Sequence, residues 1–469
     1  MFRLNSSKVI MSILAVATLG AVVWISSFTF NQVLQNHDYT TDIVQLRSNA
    51  NTKNEHDPPA QIHLALYDDT QTSSSLAGNG MTVSWATKRR NLIPSVVQFG
   101  LKPSQLSEKV VSSQQCEQYS FCDYHSACFH HVNIPAKRLL PETLYYYRCG
   151  NEASGWSEIK NFTTPMAIGN TKSALFALIG DLGQTEFSKR TLEYISSRKK
   201  DLRAIFHAGD LSYADSDQPR WDSWAKMVEP IASQIPWMVA SGNHEEEEPC
   251  KAKTDPFISY QKRFCMPYVS EPDSLQQGNL YYGIRVGMTH FIILSPYIDT
   301  TRNSSQYRWL EEELGRVNRA LTPWLCVLMH GPWYNSNTAH QNRREPHFEM
   351  KKNMESLLYD NKVDVVISGH VHAYERSLPV WKEQVRLDGI VYVVVGDGGN
   401  REGLASSFLQ PAPQWSAFRK ALYGYILWNV TNQTHAALEW YAHNEKGAQI
   451  EDVFWIQSTK FRVAQNFKH

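Results

Sequence analysis

Five times between Leu175 and His372 an apolar run of strand character stops and a residue able to hold a metal ion follows at once. Leu175 to Ile179 leads to Gly180-Asp181, and Ala204 to Ala208 leads to Gly209-Asp210-Leu211-Ser212-Tyr213. Trp237 to Ala240 leads to Gly242-Asn243-His244-Glu245. Leu325 to Met329 leads to His330, and Val363 to Ile367 leads to Gly369-His370-Val371-His372. Strands that read as continuous apolar runs are buried on both faces, as in parallel sheets covered by helices. In open α/β sheets ligands collect at the carboxyl ends of the strands, so these five loops are expected to converge on one crevice. The preceding glycines suit a chain leaving a buried strand for a tight turn, in backbone shapes that a Cβ disfavours.

Each motif alone is weak, because a Gly-Asp or Gly-Asn pair is commonly a turn and a lone His after a strand is commonly structural. The ordered set is more specific. Asp, Asn, Tyr and His offer oxygen and nitrogen donors suited to hard or borderline ions. Two carboxylates, a phenolate and three imidazoles exceed the needs of one ion, so a two-metal site is expected from Asp181, Asp210, Tyr213, Asn243, His330, His370 and His372.

Upstream of this α/β region the grammar differs. Short strand-like runs alternate with turn clusters between about Gln61 and Pro165: Met81 to Trp85, Ser95 to Gly100, His130 to Ile134, Leu144 to Cys149 and Trp156 to Thr163. This pattern predicts a small all-β sandwich over 59–165. The run Leu139-x-Pro141-x-Thr143-x-Tyr145-x-Tyr147, with Trp85 on an earlier strand, resembles a fibronectin type III domain with its tyrosine corner, a unit expected to space or support. From 166 to 469, buried strands alternate with helical stretches such as Glu186 to Arg198 and Phe348 to Tyr359, a βαβ pattern. Gly396-Asp397-Gly398-Gly399 lacks the Lys-Ser/Thr of a phosphate-binding P-loop.

The N-terminus points to export. An uncharged, mostly apolar stretch from Val9 to Phe30 follows Arg3 and Lys8, and the next Lys or Arg is Arg47. Residues 1–30 read as a signal peptide or a signal anchor; both readings stay open, since roughly twenty residues can span a bilayer and Ala15-Val16-Ala17 offers an early cleavage site. Residues 31–58 are polar and close on Pro58-Pro59, a flexible linker. Sequons at Asn161, Asn303, Asn429 and Asn432 would accept N-glycans in the secretory pathway. Seven cysteines allow two or three disulfides, with connectivity open, and Cys326 in the apolar run Trp324 to Leu328 reads as a small buried residue. Lysines plus arginines number 46, as do aspartates plus glutamates, which removes the long-range field that would favour nucleic acid or an anionic membrane. A secreted protein, or one on the lumenal or extracellular face of a membrane, is expected, touching the membrane only through its leader.

The ordered ligand set resembles the metallophosphoesterase superfamily and, within it, the purple acid phosphatases, in the animal form with an N-terminal fibronectin type III-like domain. The likeness covers nearly everything from about Pro58 onward. In the broader superfamily the first motif is usually Asp-x-His; here Asp181-Leu182-Gly183 stands instead, and Tyr213 follows three residues after Asp210, the exchange typical of the purple enzymes. The resemblance implies a four-layer α/β/β/α catalytic domain. It further implies that Asp181, Tyr213 and His372 hold Fe(III), that Asn243, His330 and His370 hold a divalent Zn, Fe or Mn, and that Asp210 bridges the pair. The implied activity is acid phosphatase: attack of a metal-held hydroxide on a phosphate monoester, small or on a phosphoprotein, with an acidic optimum. A homodimer is also among the forms that the resemblance allows.

For the outer residues, His244 is the expected proton donor to the leaving group, with His340 as a second donor or phosphate contact. Family members of this size often carry a His pair where this chain has Ala339-His340, so one such contact is absent. Glu375 and Arg376 either orient the ligand histidines or form a surface ion pair. Trp221, Trp224, Trp333 and Tyr334 either wall the pocket or belong to the core. Two alternatives accompany the phosphatase reading: a metallophosphodiesterase or nucleotide pyrophosphatase on the same site, and a cell-surface recognition protein with an inactive phosphatase domain.

Overall fold

The computed structural model describes residues 57–465, apart from 69–77, 91–92, 249, 251–254, 269–273 and 445–446. The apolar leader and the linker up to His56 lie outside the described residues. Among the described residues no helix is long and apolar enough to cross a membrane.

The first unit is a sandwich of two antiparallel sheets. One sheet joins β1 (Ala60–Tyr67), β2 (Gly80–Thr87) and β5 (Cys128–Ile134) in the order β1-β2-β5. The other runs β7-β6-β3-β4, from β3 (Val96–Gly100), β4 (Glu108–Val111), β6 (Leu144–Asn151) and β7 (Lys160–Thr163). Strands β1 and β4 lie outside the runs read from the sequence. The Tyr145 hydroxyl accepts the Leu140 amide at 3.0 Å, five residues upstream. Disulfides join Cys116 to Cys128 and Cys122 to Cys250, while Cys149, Cys265 and Cys326 are free thiols.

The sandwich does more than space. On β1 the His63 ring is buried and its Nε2 hydrogen-bonds the Trp237 carbonyl at 2.7 Å. The buried Arg263 guanidinium pairs with Asp222 at 3.0 Å, donates to the hydroxyls of Tyr119 and Tyr124, and lies 4.9 Å over the Phe129 ring. A guanidinium removed from water requires such partners, so these contacts tie the β unit firmly to the α/β unit.

Among the described residues the α/β unit is built on two large sheets. The first has the order β10-β9-β8-β18-β19-β20 and is built from β8 (Ala174–Ile179), β9 (Leu202–His207), β10 (Trp237–Val239), β18 (Tyr423–Val430), β19 (His435–Asn444) and β20 (Gly447–Gln457). The second has the order β11-β12-β13-β14-β16-β15-β17, from β11 (Tyr282–Val286), β12 (Thr289–Ile293), β13 (Trp324–Leu328), β14 (Val365–Ser368), β15 (Tyr374–Ser377), β16 (Val391–Val395) and β17 (Ser416–Lys420). Strands β8, β9 and β10 run parallel, as do β12, β13, β14 and β16. Helix α1 (Glu186–Ser197) connects β8 to β9, α2 (Pro219–Ala232) connects β9 to β10, and α4 (Pro346–Asp360) connects β13 to β14, with α3 (Ser305–Arg316) before β13. Aromatic side chains join the sheets: Phe206 of the first stacks on Phe291 of the second at 3.8 Å, and Phe176 meets Phe291 edge-on at 5.1 Å. Trp221, Trp224, Trp333 and Tyr334 are buried core residues.

Candidate metal centre

All five ligand-bearing loops leave the carboxyl ends of parallel strands, β8, β9 and β10 from one sheet and β13 and β14 from the other. Because the two sheets pack face to face, these ends meet. The turns are strained on the ligands themselves: Asp181, Asp210, Tyr213 and His370 have φ of 54°, 54°, 52° and 70°. Non-glycine residues avoid this left-handed region at a cost of order 1–3 kcal/mol each, and such strain persists where surrounding structure enforces it. The glycines act differently from the sequence expectation. Gly209 does adopt φ 85°, but Gly242 and Gly369 are required for space, since a Cβ would run into the carboxylates of Asp210 and Asp181 respectively.

The donors fall into two groups. The Tyr213 hydroxyl lies 3.2 Å from Asp181 Oδ1 and 3.1 Å from His372 Nε2, and that Nε2 is 3.3 Å from Asp181 Oδ1. In the second group His330 Nε2 is 2.9 Å from Asp210 Oδ2 and 3.2 Å from Asn243 Oδ1, and ligand atoms of Asp210, His330 and His370 lie within 4.8 Å of one another. Carbonyls orient two of the rings: Ala208 O takes Nδ1 of His330 at 2.7 Å and Gly403 O takes Nδ1 of His372 at 3.0 Å. A carbonyl there fixes the tautomer that leaves Nε2 as the donor.

These residues fit metal ions. Two ligands about 2.1 Å from one ion are about 3.0 Å apart at a right angle and about 3.4 Å apart at a tetrahedral one; the separations within the Asp181-Tyr213-His372 group fall in that range, and the 2.9 Å between His330 and Asp210 lies just below it. Asp181 and Asp210 are buried, and among the described residues neither pairs with a lysine or arginine. Buried carboxylates whose only charged partners are imidazoles suit coordination to a metal ion.

The local electrostatics follow. Burial alone would raise the Asp210 pKa, but the imidazoles of His330, His244 and His370 outweigh it and hold the carboxyl below its usual range. Burial opposes charge on His330, yet Asp210 and Asp181 lift it to about 9. Burial, with Asp181 and Asp210 beside it, pushes the Tyr213 phenol well up, so a bound cation is needed to make it a phenolate.

Around this centre stand residues the motifs alone do not assign. Glu245 is fully buried and accepts the amides of Asp210, Leu211 and Gly242 at 2.7, 2.9 and 2.8 Å. It clamps the second ligand loop to the third. Its place in Gly242-Asn243-His244-Glu245 was the available signal. His244 donates its backbone amide to Asp210 Oδ1 at 2.9 Å, pairs through Nδ1 with Asp215, and keeps Nε2 3.8 Å from Asp210 Oδ2. Burial would lower its pKa, but Asp215 and Asp210 raise it to about 9. The His340 ring lies tilted against His370, with centroids 3.7 Å apart, and Glu345 reaches both.

Glu375 and Arg376 do neither thing expected of them. Glu375 accepts the Ser336 amide at 2.7 Å and bonds the hydroxyls of Ser336 and Ser416, anchoring the loop after His330. Arg376 pairs with Asp452 at 2.7 Å. Both are buried, so no surface ion pair forms between them.

Comparison with known proteins supplies the wider setting. The model of the calcineurin-like phosphoesterase family matches residues 174–374, the purple acid phosphatase N-terminal domain matches 59–164, and the iron/zinc purple acid phosphatase-like protein C family matches 389–453. Purple acid phosphatase 22 of Arabidopsis thaliana is 41% identical over 392 residues, covering 83% of this chain and 86% of that protein. Purple acid phosphatase 18 of the same plant is 40% identical over 400 residues, 85% of each chain. A purple acid phosphatase from yellow lupin seeds superposes with a TM-score of 0.74 at 24% identity, over 87% of this chain and 76% of that one, a likeness of fold.

Proposed function

The chain belongs to the purple acid phosphatase family, and from that premise we propose that Asp181, Tyr213 and His372 hold an Fe(III), that Asn243, His330 and His370 hold a divalent ion, and that Asp210 bridges the two. The chain is a metallophosphoesterase, a hydrolase with a binuclear metal centre. The single observation that carries the assignment is the division of donors into an Asp181-Tyr213-His372 triangle and an Asn243-His330-Asp210 set. Three acidic donors suit a trivalent and a divalent ion together, and a phenolate favours the ferric state as a hard anionic donor.

When bound, the ion pair polarises the phosphoryl oxygens and lowers the pKa of water. The chain's own groups do the rest. Asp210 is fixed from both sides by Glu245 and the His244 amide, so the two donor groups stay at constant separation. Asp215 accepts the Nδ1–H hydrogen bond of His244 and holds the ring as an imidazolium, so that its Nε2–H faces the centre and can protonate a leaving alkoxide. His340, half-exposed beside His370, is the second contact for the phosphate.

We read the substrate as a phosphate monoester, and the divalent ion as Zn, Fe or Mn. The two disulfides fit an oxidising setting such as the secretory pathway, and exposed Asn303 and Asn432 are the sequons most open to a glycan. The test is an assay of an aryl phosphate monoester and the matching diester against pH, on protein of known metal content. Monoester turnover greater than diester turnover, with an acidic optimum, supports the reading; preference for the diester rejects it.

A further inference from the structure

Parallel strand β12 also ends at the crevice, yet none of the expected metal ligands follows it. Ile293 is in register with Leu328 of β13, so the chain leaving β12 emerges beside His330. There it carries Ser295-Pro296-Tyr297. The Tyr297 hydroxyl reaches Asn243, donating to Oδ1 at 3.3 Å, and its ring centroid lies 6.0 Å from that of His330. A phenol with no role in the donor set therefore stands against two of the residues proposed above for the divalent ion.

The loop that delivers this side chain is held rigidly. Gln306, buried on α3, brackets Ser295: its Oε1 accepts the Ser295 amide and its Nε2 donates to the Ser295 carbonyl, each at 2.8 Å. Ser241, two residues before Asn243, donates its hydroxyl to Ser295 Oγ at 2.8 Å. That bond ties the β12 loop to the β10 loop without help from the Tyr297 hydroxyl, and Glu245 holds the Gly242 amide at 2.8 Å on the other side. Asn243 is thus fixed by its own loop, and the hydroxyl is free for another task.

We infer that Tyr297 is a substrate contact, whose hydroxyl donates a hydrogen bond to a phosphoryl oxygen on the divalent-ion side of the centre. The inference rests on the two-metal reading of the preceding subsection. Three observations carry it. The contact with Asn243 Oδ1 is longer than the about 2.5–3.0 Å usual between hydroxyl and acceptor oxygens, and that oxygen is committed to an ion. Tyr297 keeps part of its surface open, as suits the wall of a crevice that admits an ester, whereas Tyr213 is sealed among its ligand partners. Finally, the two sides of the centre are matched. His244 packs on Tyr213 with centroids 4.1 Å apart, on the side proposed for iron, and Tyr297 stands beside His330 on the other. A phenol ordinarily titrates near 10, so in acid the hydroxyl is a donor, and an anionic phosphoryl oxygen is the acceptor that makes its strongest bond.

Tyr297→Phe in the metal-loaded full chain removes the hydroxyl and keeps the ring. Elemental analysis should find both ions at the parental level. Titration calorimetry with inorganic phosphate should find Kd raised at least about tenfold, the loss expected of one hydrogen bond to a charged group, and kcat/KM for an aryl phosphate monoester should fall by a similar factor. Parental phosphate affinity in Tyr297→Phe overturns the proposal. So does loss of the second ion, which would make the hydroxyl a support of Asn243 and no contact of the substrate. The parent protein separates this inference from the reading beneath it: a parent with two ions and a Tyr297→Phe variant that binds phosphate equally well removes Tyr297 alone, whereas a parent with fewer than two ions removes the metal centre and Tyr297 with it.

Discussion

Glu245 Oε2 accepts the backbone amide of Asp210 at 2.7 Å, in a part of the molecule where neither residue reaches water. Through it, a loop from the end of β10 fixes the geometry of a ligand at the end of β9. Glu245→Ala would strand three buried amides, each costing about 1–3 kcal/mol when unpaired. The expected result is a loss of at least about 3 kcal/mol on chemical unfolding, together with loss of bound metal. Unchanged metal content in a folded Glu245→Ala protein would contradict the clamp.

Tyr213 supplies the only phenol in the donor set, and its hydroxyl is 3.2 Å from Asp181. A ferric phenolate absorbs visible light by ligand-to-metal charge transfer. Tyr213→Phe should therefore bleach the visible band and lower kcat while the fold, read by circular dichroism, stays intact. A band that survives the substitution would remove Tyr213 from the iron.

Asp215 orients His244 from outside the ligand set. Asp215→Asn should lower kcat by about 100-fold, the lower end of the range for a positioned acid, with both metals retained. Full activity in the Asn variant would argue that His244 needs no such support.

The ligand loops were legible because their signal is local. A strand buried on both faces is a continuous apolar run, and the residue that ends it is read directly beside it. Glu345 and Asp215 were not legible, because each sits in a polar loop stretch, Gln341 to Glu345 or Tyr213 to Asp217, and acquires its partner only through folding. Glu375 was misread for the same reason: its partners Ser336 and Ser416 lie 39 and 41 residues away. Glycine in the motifs signalled a turn correctly, but the left-handed backbone falls mainly on the ligands, which no pattern of residue types displays. The sandwich's strands were visible in alternation, whereas its docking through His63 to Trp237 and through Tyr119 and Tyr124 to Arg263 depends on contacts between residues at least 139 positions apart.

Several buried histidines outside the centre give stability a pH dependence. Burial lowers the pKa of His63, His130 and His443 to about 4. The unfolded chain, with histidines near the ordinary 6.5, binds more protons between those values. The contribution of these residues is thus complete above about pH 6.5 and is lost as pH falls toward 4, by roughly 3 kcal/mol at most for a fully buried ring. Melting temperature should fall over that window, and His63→Gln, whose amide can still reach the Trp237 carbonyl, should flatten the slope. Identical slopes for parent and variant would exclude His63 as a source.

The central claim is that two ions share one crevice, and elemental analysis of the purified full chain addresses it most directly. Two metal ions per chain are predicted, at least one of them iron, falling to one iron per chain in His330→Ala. A parent protein that retains one ion or none after saturation with iron and zinc would contradict the account.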